Sequence, residues 1–190
     1  MKYYIADTHF GHANIMKYDK RPWDDVDRMD EDMIVLWNSR VRPNDEVYIL
    51  GDFCWRNYER WEYILKKLHG RKYLITGNHD PKKFPEHIIS LFETAPVAYK
   101  EIRDGSYSIC MSHFPMISYI NDNDPMQYMF HGHIHMTLEA GPVYDAVETM
   151  RAKCKEAGFF YQGNLRNCWC GNYGWAPATA EEIIAFTKGS

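Results

Sequence analysis

Five short apolar runs in this chain each stop at a cluster drawn from Asp, Asn, His and Gly. That recurrence restricts the fold more than any other feature. Tyr3-Tyr4-Ile5-Ala6 leads into Asp7-Thr8-His9, and Glu46-Val47-Tyr48-Ile49-Leu50 into Gly51-Asp52. Tyr73-Leu74-Ile75-Thr76 leads into Gly77-Asn78-His79-Asp80, and Tyr107-Ser108-Ile109-Cys110-Met111 into Ser112-His113-Phe114-Pro115. Tyr128-Met129-Phe130 leads into His131-Gly132-His133-Ile134-His135. The runs are short, rich in β-branched and aromatic residues, and closed by Gly or Pro, so they read as buried strands. In a mostly parallel sheet such ends meet on one edge, where α/β folds place their sites.

Helical patterns lie between the runs. Met29, Met33, Leu36, Trp37 and Val41 share a face between about Asp27 and Val41. After Asn57, a residue suited to cap a helix, Trp61, Ile64, Leu65 and Leu68 form a stripe that Gly70 closes. A third helix is expected over about Tyr144–Glu156, before Gly158. A last one is expected to open at the capping box Thr179-Ala180-Glu181-Glu182. This alternation indicates α/β layers. A length of 190 residues, with no linker or repeat, predicts a single domain over residues 1–190. Phe114–Met129 reads as an exposed loop beside the site.

A formal charge of −4 gives no electrostatic footprint for extended nucleic-acid binding. There is no apolar run of about 18 residues for a membrane helix, and the N-terminal apolar stretch is too short for a signal peptide. Five cysteines with no C-x-x-C pair fit a reduced, cytoplasmic setting. Cys168-x-Cys170 could bind metal, but strand spacing would put both side chains on one sheet face as packing residues.

Taken singly, the clusters are ambiguous. Asp7-x-His9 could reach one cation together by strand alternation, or form a turn with a surface histidine. Gly51-Asp52 is ordinary turn chemistry, and His113 alone would be a core or loop histidine. His133 and His135, at i and i+2 of an extended chain beside Gly132, point the same way. Together the groups change the reading. Asp7, His9, Asp52, Asn78, His113, His133 and His135 form the nitrogen and oxygen donor set of Mn, Fe, Zn, Co or Ni. Seven donors exceed the needs of one ion and suit two divalent ions sharing a carboxylate.

The ordered blocks D-x-H, G-D, G-N-H-D/E, H and G-H-x-H, all present over roughly residues 1–135, resemble the signature of the calcineurin-like metallophosphoesterases. The stretch Asp7–Ile15 is similar to a subgroup of small bacterial and phage-borne phosphoesterases. The tail Trp175–Ile183 resembles that subgroup more weakly. The resemblance implies a four-layer α-β-β-α sandwich of two mixed β-sheets flanked by helices. It implies that Asp7, His9 and His135 hold one ion, that Asn78, His113 and His133 hold the other, and that Asp52 bridges them. His79 would face the scissile phosphate. Phe53-Cys54-Trp55 after Gly51-Asp52, and Asp80 in place of Glu, speak against the protein Ser/Thr phosphatase branch. Met136–Gly163 matches no block of the signature.

The implied activity is metal-dependent phosphoester hydrolysis by a hydroxide that two ions activate, with manganese favoured and phosphodiesters preferred. Nucleotide-derived substrates are within this reading. A phosphomonoesterase acting on a small molecule or phosphoprotein, or a non-catalytic metal-binding scaffold, is the alternative. Asn78 and His79 are the expected substrate contacts, with His79 stabilising the transition state or protonating the leaving oxygen. Asp80 is expected to orient the His79 ring or to cap a turn. His12 and Arg21 are candidates for contact with substrate, or else polar surface. Trp23, Trp55, Tyr119 and Tyr128 could stack on a base, with core packing the alternative. The Tyr144–Glu156 helix is expected to cover the core or to join a homodimer.

Overall fold

The computed structural model describes residues 1–55, 57–135, 137–138 and 140–186. Met136, which opens the unassigned segment, and residues 187–190 of the single-domain reading lie outside the described residues. In chain order the elements are β1 (Lys2–Ile5), α1 (Ile15–Tyr18), α2 (Val26–Arg40), β2 (Glu46–Leu50), α3 (Tyr58–Lys67) and β3 (Arg71–Ile75). There follow α4 (Glu86–Ile89), β4 (Tyr99–Asp104), β5 (Tyr107–Ser112), β6 (Gln127–His131), α5 (Ala140–Glu156), β7 (Leu165–Asn167) and α6 (Ala180–Ala185).

The strands form two sheets, ordered β1-β2-β3 and β4-β5-β6-β7. The first is parallel throughout its three strands, and Ala178 adds an antiparallel bridge to Tyr4. In the second, β4 runs antiparallel to β5, while β5, β6 and β7 are parallel. All five predicted strands are present, with ends shifted by one or two residues.

Side-chain alternation sorts the strand residues into three cores. Tyr3, Ile5, Val47, Ile49 and Leu74 pack outward against Met29, Met33 and Trp37 of α2 and Trp61, Ile64 and Leu65 of α3. Their neighbours Tyr4, Tyr48, Leu50 and Ile75 face the other way, against Ile109, Met111 and Phe130 of the second sheet. The outer face of that sheet presents Cys110, Met129 and Leu165 to Val147 of α5. The layers are therefore helices, sheet, sheet, helix, as the four-layer reading expects. No helix among the described residues is long and apolar enough to cross a membrane.

Local chemistry accounts for the helix ends. Asn57 accepts from the N–H groups of Glu59 and Arg60, and Thr179 and Glu182 complete a reciprocal capping box. α5 begins at Ala140, four residues before the expected start. Pro142 is tolerated there because it lies in the first turn. It covers the outer face of the second sheet, as one expectation for this segment had it.

Sequence reading missed two strands. β4 (YKEIRD) carries only two apolar side chains among charged ones and lies at a sheet edge, so it shows no buried run. β7 is three residues long but has an outsized role. Ala6 donates to the Cys168 carbonyl at 2.8 Å, Cys170 donates to the Ala6 carbonyl at 3.0 Å, and Cys168 donates to the His131 carbonyl at 2.7 Å. The segment after β7 thus joins β6 of one sheet to the end of β1 of the other. Cys168 enters the inter-sheet core and Cys170 the core beneath α2, so the two do not share a face as strand spacing predicted. The cause is a 3-10 turn over Cys170–Tyr173, which ends the alternation. The expected exposed loop before β6 is also partly anchored, since Tyr119 is buried and its hydroxyl accepts from the Asn164 N–H at 2.7 Å.

Phe130 is fully buried between the sheets, edge-on to Tyr4 at 5.0 Å. Phe130→Ala is expected to destabilise the protein by about 3–5 kcal/mol, measured as a lower urea midpoint with an unchanged m-value.

Candidate metal centre and active site

The five strand ends converge. Asp7 and His9 follow β1, Asp52 follows β2, Asn78 and His79 follow β3, His113 follows β5, and His133 and His135 follow β6. Asp7, His9 and His135 each offer a donor atom within 4.8 Å of the others, as do Asp7, Asp52 and His113. All five of these residues are buried. Asn78 Oδ1 lies 2.9 Å from both His113 Nε2 and His133 Nδ1, which brings the remaining two candidate ligands to the same place.

The backbone reaches this arrangement through strained turns, not through the extended geometry that strand spacing predicted. Among the described residues, eight non-glycine residues have positive φ, and five of them are Asp7, His9, Asp52, His133 and His135. Such conformations cost about 1–3 kcal/mol each and persist only where the surroundings enforce them. Glycine supplies the close approach. Gly51 sits at φ +85°, and a Cβ there would lie 2.5 Å from His113 Nδ1. A Cβ on Gly132 would lie 2.6 Å from Asp7 Oδ2.

The donors point lone pairs at one another. His113 donates its Nδ1–H to the Leu50 carbonyl at 2.8 Å, so a neutral ring turns its Nε2 lone pair toward Asp52 Oδ2 at 3.4 Å. His135 donates its Nδ1–H to Asp19 Oδ1 at 2.7 Å, which aims its Nε2 lone pair at Asp7 Oδ1, 3.3 Å away. His9 Nε2 stands 3.7 Å from Asp52 Oδ2. An acceptor facing an acceptor needs a proton or a metal cation between them. These separations are close to those of neighbouring ligands on one ion with bonds of about 2.0–2.2 Å. The donor set therefore fits divalent metal, with nitrogen and oxygen ligands only.

The electrostatics agree. Burial alone would lower His113, but Asp52 and Asp7 outweigh it and raise the ring to about 9. Burial likewise opposes a charge on His135, yet Asp19 and Asp7 raise it to about 10. Burial pushes His9 down to about 3, leaving it a neutral donor. Asp52 is held near 2, because His113, His9 and the His79 N–H overcome its desolvation.

Residues 3–138 match the family model of calcineurin-like phosphoesterases. The chain belongs to that family. An uncharacterised protein of Methanocaldococcus jannaschii is 36% identical over 135 residues, covering 70% of this chain and 68% of its own. The gene 66 protein of Mycobacterium phage L5 is 29% identical over 166 residues, covering 72% and 78%. A solved structure of a protein of unknown function from Aquifex aeolicus matches with a TM-score of 0.69 and 27% identity, over 96% of this chain and 97% of that one.

The other candidate residues fall differently. His79 is 45% exposed, its Nε2 4.0 Å from Asp52 Oδ2, and its backbone N–H donates to Asp52 Oδ1 at 2.8 Å. Asp80 does not orient the His79 ring. It is buried and accepts the N–H groups of Gly77 at 2.8 Å and of Asp52 and Phe53 at 3.0 Å, tying the ends of β2 and β3 together. Arg21 does not reach toward substrate. It is 5% exposed and donates to the carbonyls of Thr8 and Asp7 at 2.7 and 2.9 Å, and to Asp19. His12 stacks on Trp55 at 4.0 Å, its ring 5.5 Å from that of His9. Its buried Nδ1 has no hydrogen-bond partner among the described residues. Of the four candidate stacking aromatics, Trp55 stands beside the site, 5.5 Å from the His79 ring. Trp23 packs on Trp175, Tyr119 is buried in the outer core, and Tyr128 packs between the sheets.

Sequence reading missed Asp19, Asn167 and Trp169. Asn167 donates to the His135 carbonyl at 2.7 Å, and the Trp169 ring lies parallel to that of His135 at 5.9 Å. Asp19-x-Arg21 was visible as an acid–base pair in the sequence. Asn167 carries no local signal, because its partner is 32 residues away.

Metal binding through His113 and His135 would require neutral rings, whereas the neighbouring carboxylates favour their protonated forms in the metal-free protein. Adding Mn²⁺ to the metal-free protein near pH 7 is therefore expected to release about two protons, measured by pH-stat, and affinity should fall as pH is lowered. Binding without proton release would contradict their assignment as ligands. Asp80→Asn leaves at least one buried N–H without its acceptor. It is expected to cost about 1–3 kcal/mol in urea unfolding and to weaken metal binding through Asp52.

Proposed function

We propose that this phosphoesterase hydrolyses phosphodiesters, including nucleotide-type substrates, and that it uses two divalent ions, with manganese favoured. Asp7, His9 and His135 would hold one ion, Asn78, His113 and His133 the other, and Asp52 would contact both. When bound, the ions would supply Lewis acidity at the phosphoryl oxygens and a water activated for attack at neutral pH.

The observation that carries the reading is the pattern of exposure. Asp7, His9, Asp52, His113 and His135 are buried, whereas Asn78 and His79 are exposed on the same strand end. A phosphate entering from solvent therefore meets these two first. The Asn78 amide can donate to a phosphoryl oxygen. The exposed His79 ring can give a proton to the leaving oxygen. Asp52 accepts the His79 backbone N–H and so fixes where that ring begins.

Two clefts support a diester over a monoester. One, of about 400 Å³, is bordered by Tyr18, His133, His135 and Leu138. The other, of about 710 Å³, runs from Asn78 past Lys82, Lys83 and Phe84. A phosphodiester carries two organic arms, and each cleft borders a candidate ligand.

With Mn²⁺ bound, bis-p-nitrophenyl phosphate is expected to turn over faster than p-nitrophenyl phosphate. The reverse order would favour a monoesterase, and no turnover of either in metal-loaded protein would favour a scaffold. Asp52→Asn should abolish turnover. His79→Ala should lower kcat by about 10²–10⁴-fold while metal content is unchanged.

A further inference from the structure

Asp19 stands outside every block of the family signature, yet its carboxylate is held by side chains on both oxygens beside the candidate metal centre. It follows α1, and its side chain is only 3% exposed. Its two oxygens are divided between two partners. Oδ1 accepts the His135 Nδ1–H at 2.7 Å. Oδ2 accepts Nε and Nη2 of Arg21 at 3.1 and 2.8 Å.

Arg21 is fixed in turn. Nη1 and Nη2 also donate to the backbone carbonyls of Thr8 and Asp7, and the guanidinium lies 4.9 Å over the Trp175 ring. The Arg21 fork therefore connects the backbone of one ligand, Asp7, to the carboxylate that holds another, His135. Trp169 covers one face of the His135 ring, and Asn167 holds its carbonyl.

We propose that Asp19, locked by Arg21, is a positioning residue. It fixes the His135 tautomer with the proton on Nδ1, so that Nε2 is presented to metal beside Asp7, and its negative charge strengthens that nitrogen as a donor. His113 uses a different device, a neutral carbonyl at Leu50, for the same purpose. The two ion positions therefore differ in the charge behind their histidines. The proposal rests on the reading of His135 as a ligand. Partners of this kind typically change metal affinity by about 10–100-fold when removed.

The test is a Mn²⁺ titration of the metal-free full chain by calorimetry, without substrate, on wild type, Asp19→Asn and Asp19→Ala. Asp19→Asn keeps the shape and one acceptor but removes the charge. The expected result is about tenfold weaker binding at one of two sites, the other unchanged, with Asp19→Ala weaker still. The melting temperature of the metal-free Asp19→Asn protein should stay near that of wild type. In zinc-loaded protein, the ¹⁵N-bound Nδ1 proton of His135 should be protected from exchange in wild type and lost to exchange in Asp19→Ala. Unchanged Mn²⁺ affinity in both variants would overturn the proposal. So would equal weakening of both sites together with a lowered melting temperature in Asp19→Asn, the mark of a purely structural residue. Failure of the wild type to bind Mn²⁺ would instead sink the two-ion reading itself.

Discussion

Carboxylates and imidazoles are buried face to face at the strand ends, and the rest of the structure depends on giving each of these groups a compensating partner. A lone buried charge is costly, and a cluster of them is tolerated only when each has a compensating partner. Here Asp7, Asp52 and Asp80 are buried within a few residues of strand ends. Asp80 is compensated by three backbone N–H groups. Asp7 receives the His133 N–H and Asp52 the His79 N–H, but both also face imidazole nitrogens. The strained turns, the glycines and the stacked aromatics serve to hold these groups at that spacing.

Parallel strands make the spacing achievable. β1, β2 and β3 run the same way, as do β5 and β6, so that five polar ends arrive at one edge of the two-sheet stack. Each core residue on these strands helps to set the height of a ligand. The inter-sheet core, with Tyr4, Leu50 and Phe130, sets how closely Asp7 and Asp52 approach His133 and His135.

Much of this was legible in the sequence, for physical reasons. Buried parallel strands are nearly continuous apolar runs, and their ends are marked by Gly, Asp and His, so the convergence of these polar groups could be expected from their positions. The capping residues Asn57 and Thr179 were legible because capping is local. What escaped was non-local or amphipathic. β4 hides because an edge strand buries little, and β7 because three residues make no pattern. Arg21 looked like a free cation until the fold buried it against Asp19 and two carbonyls. Asp80 looked like a neighbour of His79, but its carboxylate turns back toward β2. Strand alternation also misjudged the ligand pairs, whose residues adopt left-handed backbone that no periodicity rule anticipates.

The bridge formed by Cys168 and Cys170 bears on how the protein can be cut or rebuilt. The family match ends at residue 138, yet Ala6, one residue before Asp7, takes both of its backbone partners from the segment after β7. A fragment drawn at the boundary of the family match would leave the Asp7 turn without its partners from the segment after β7. The folded unit is longer than its recognisable motif, and a transplant or split-protein design that keeps these backbone partners carries residues 164–178 along with the strands they fasten.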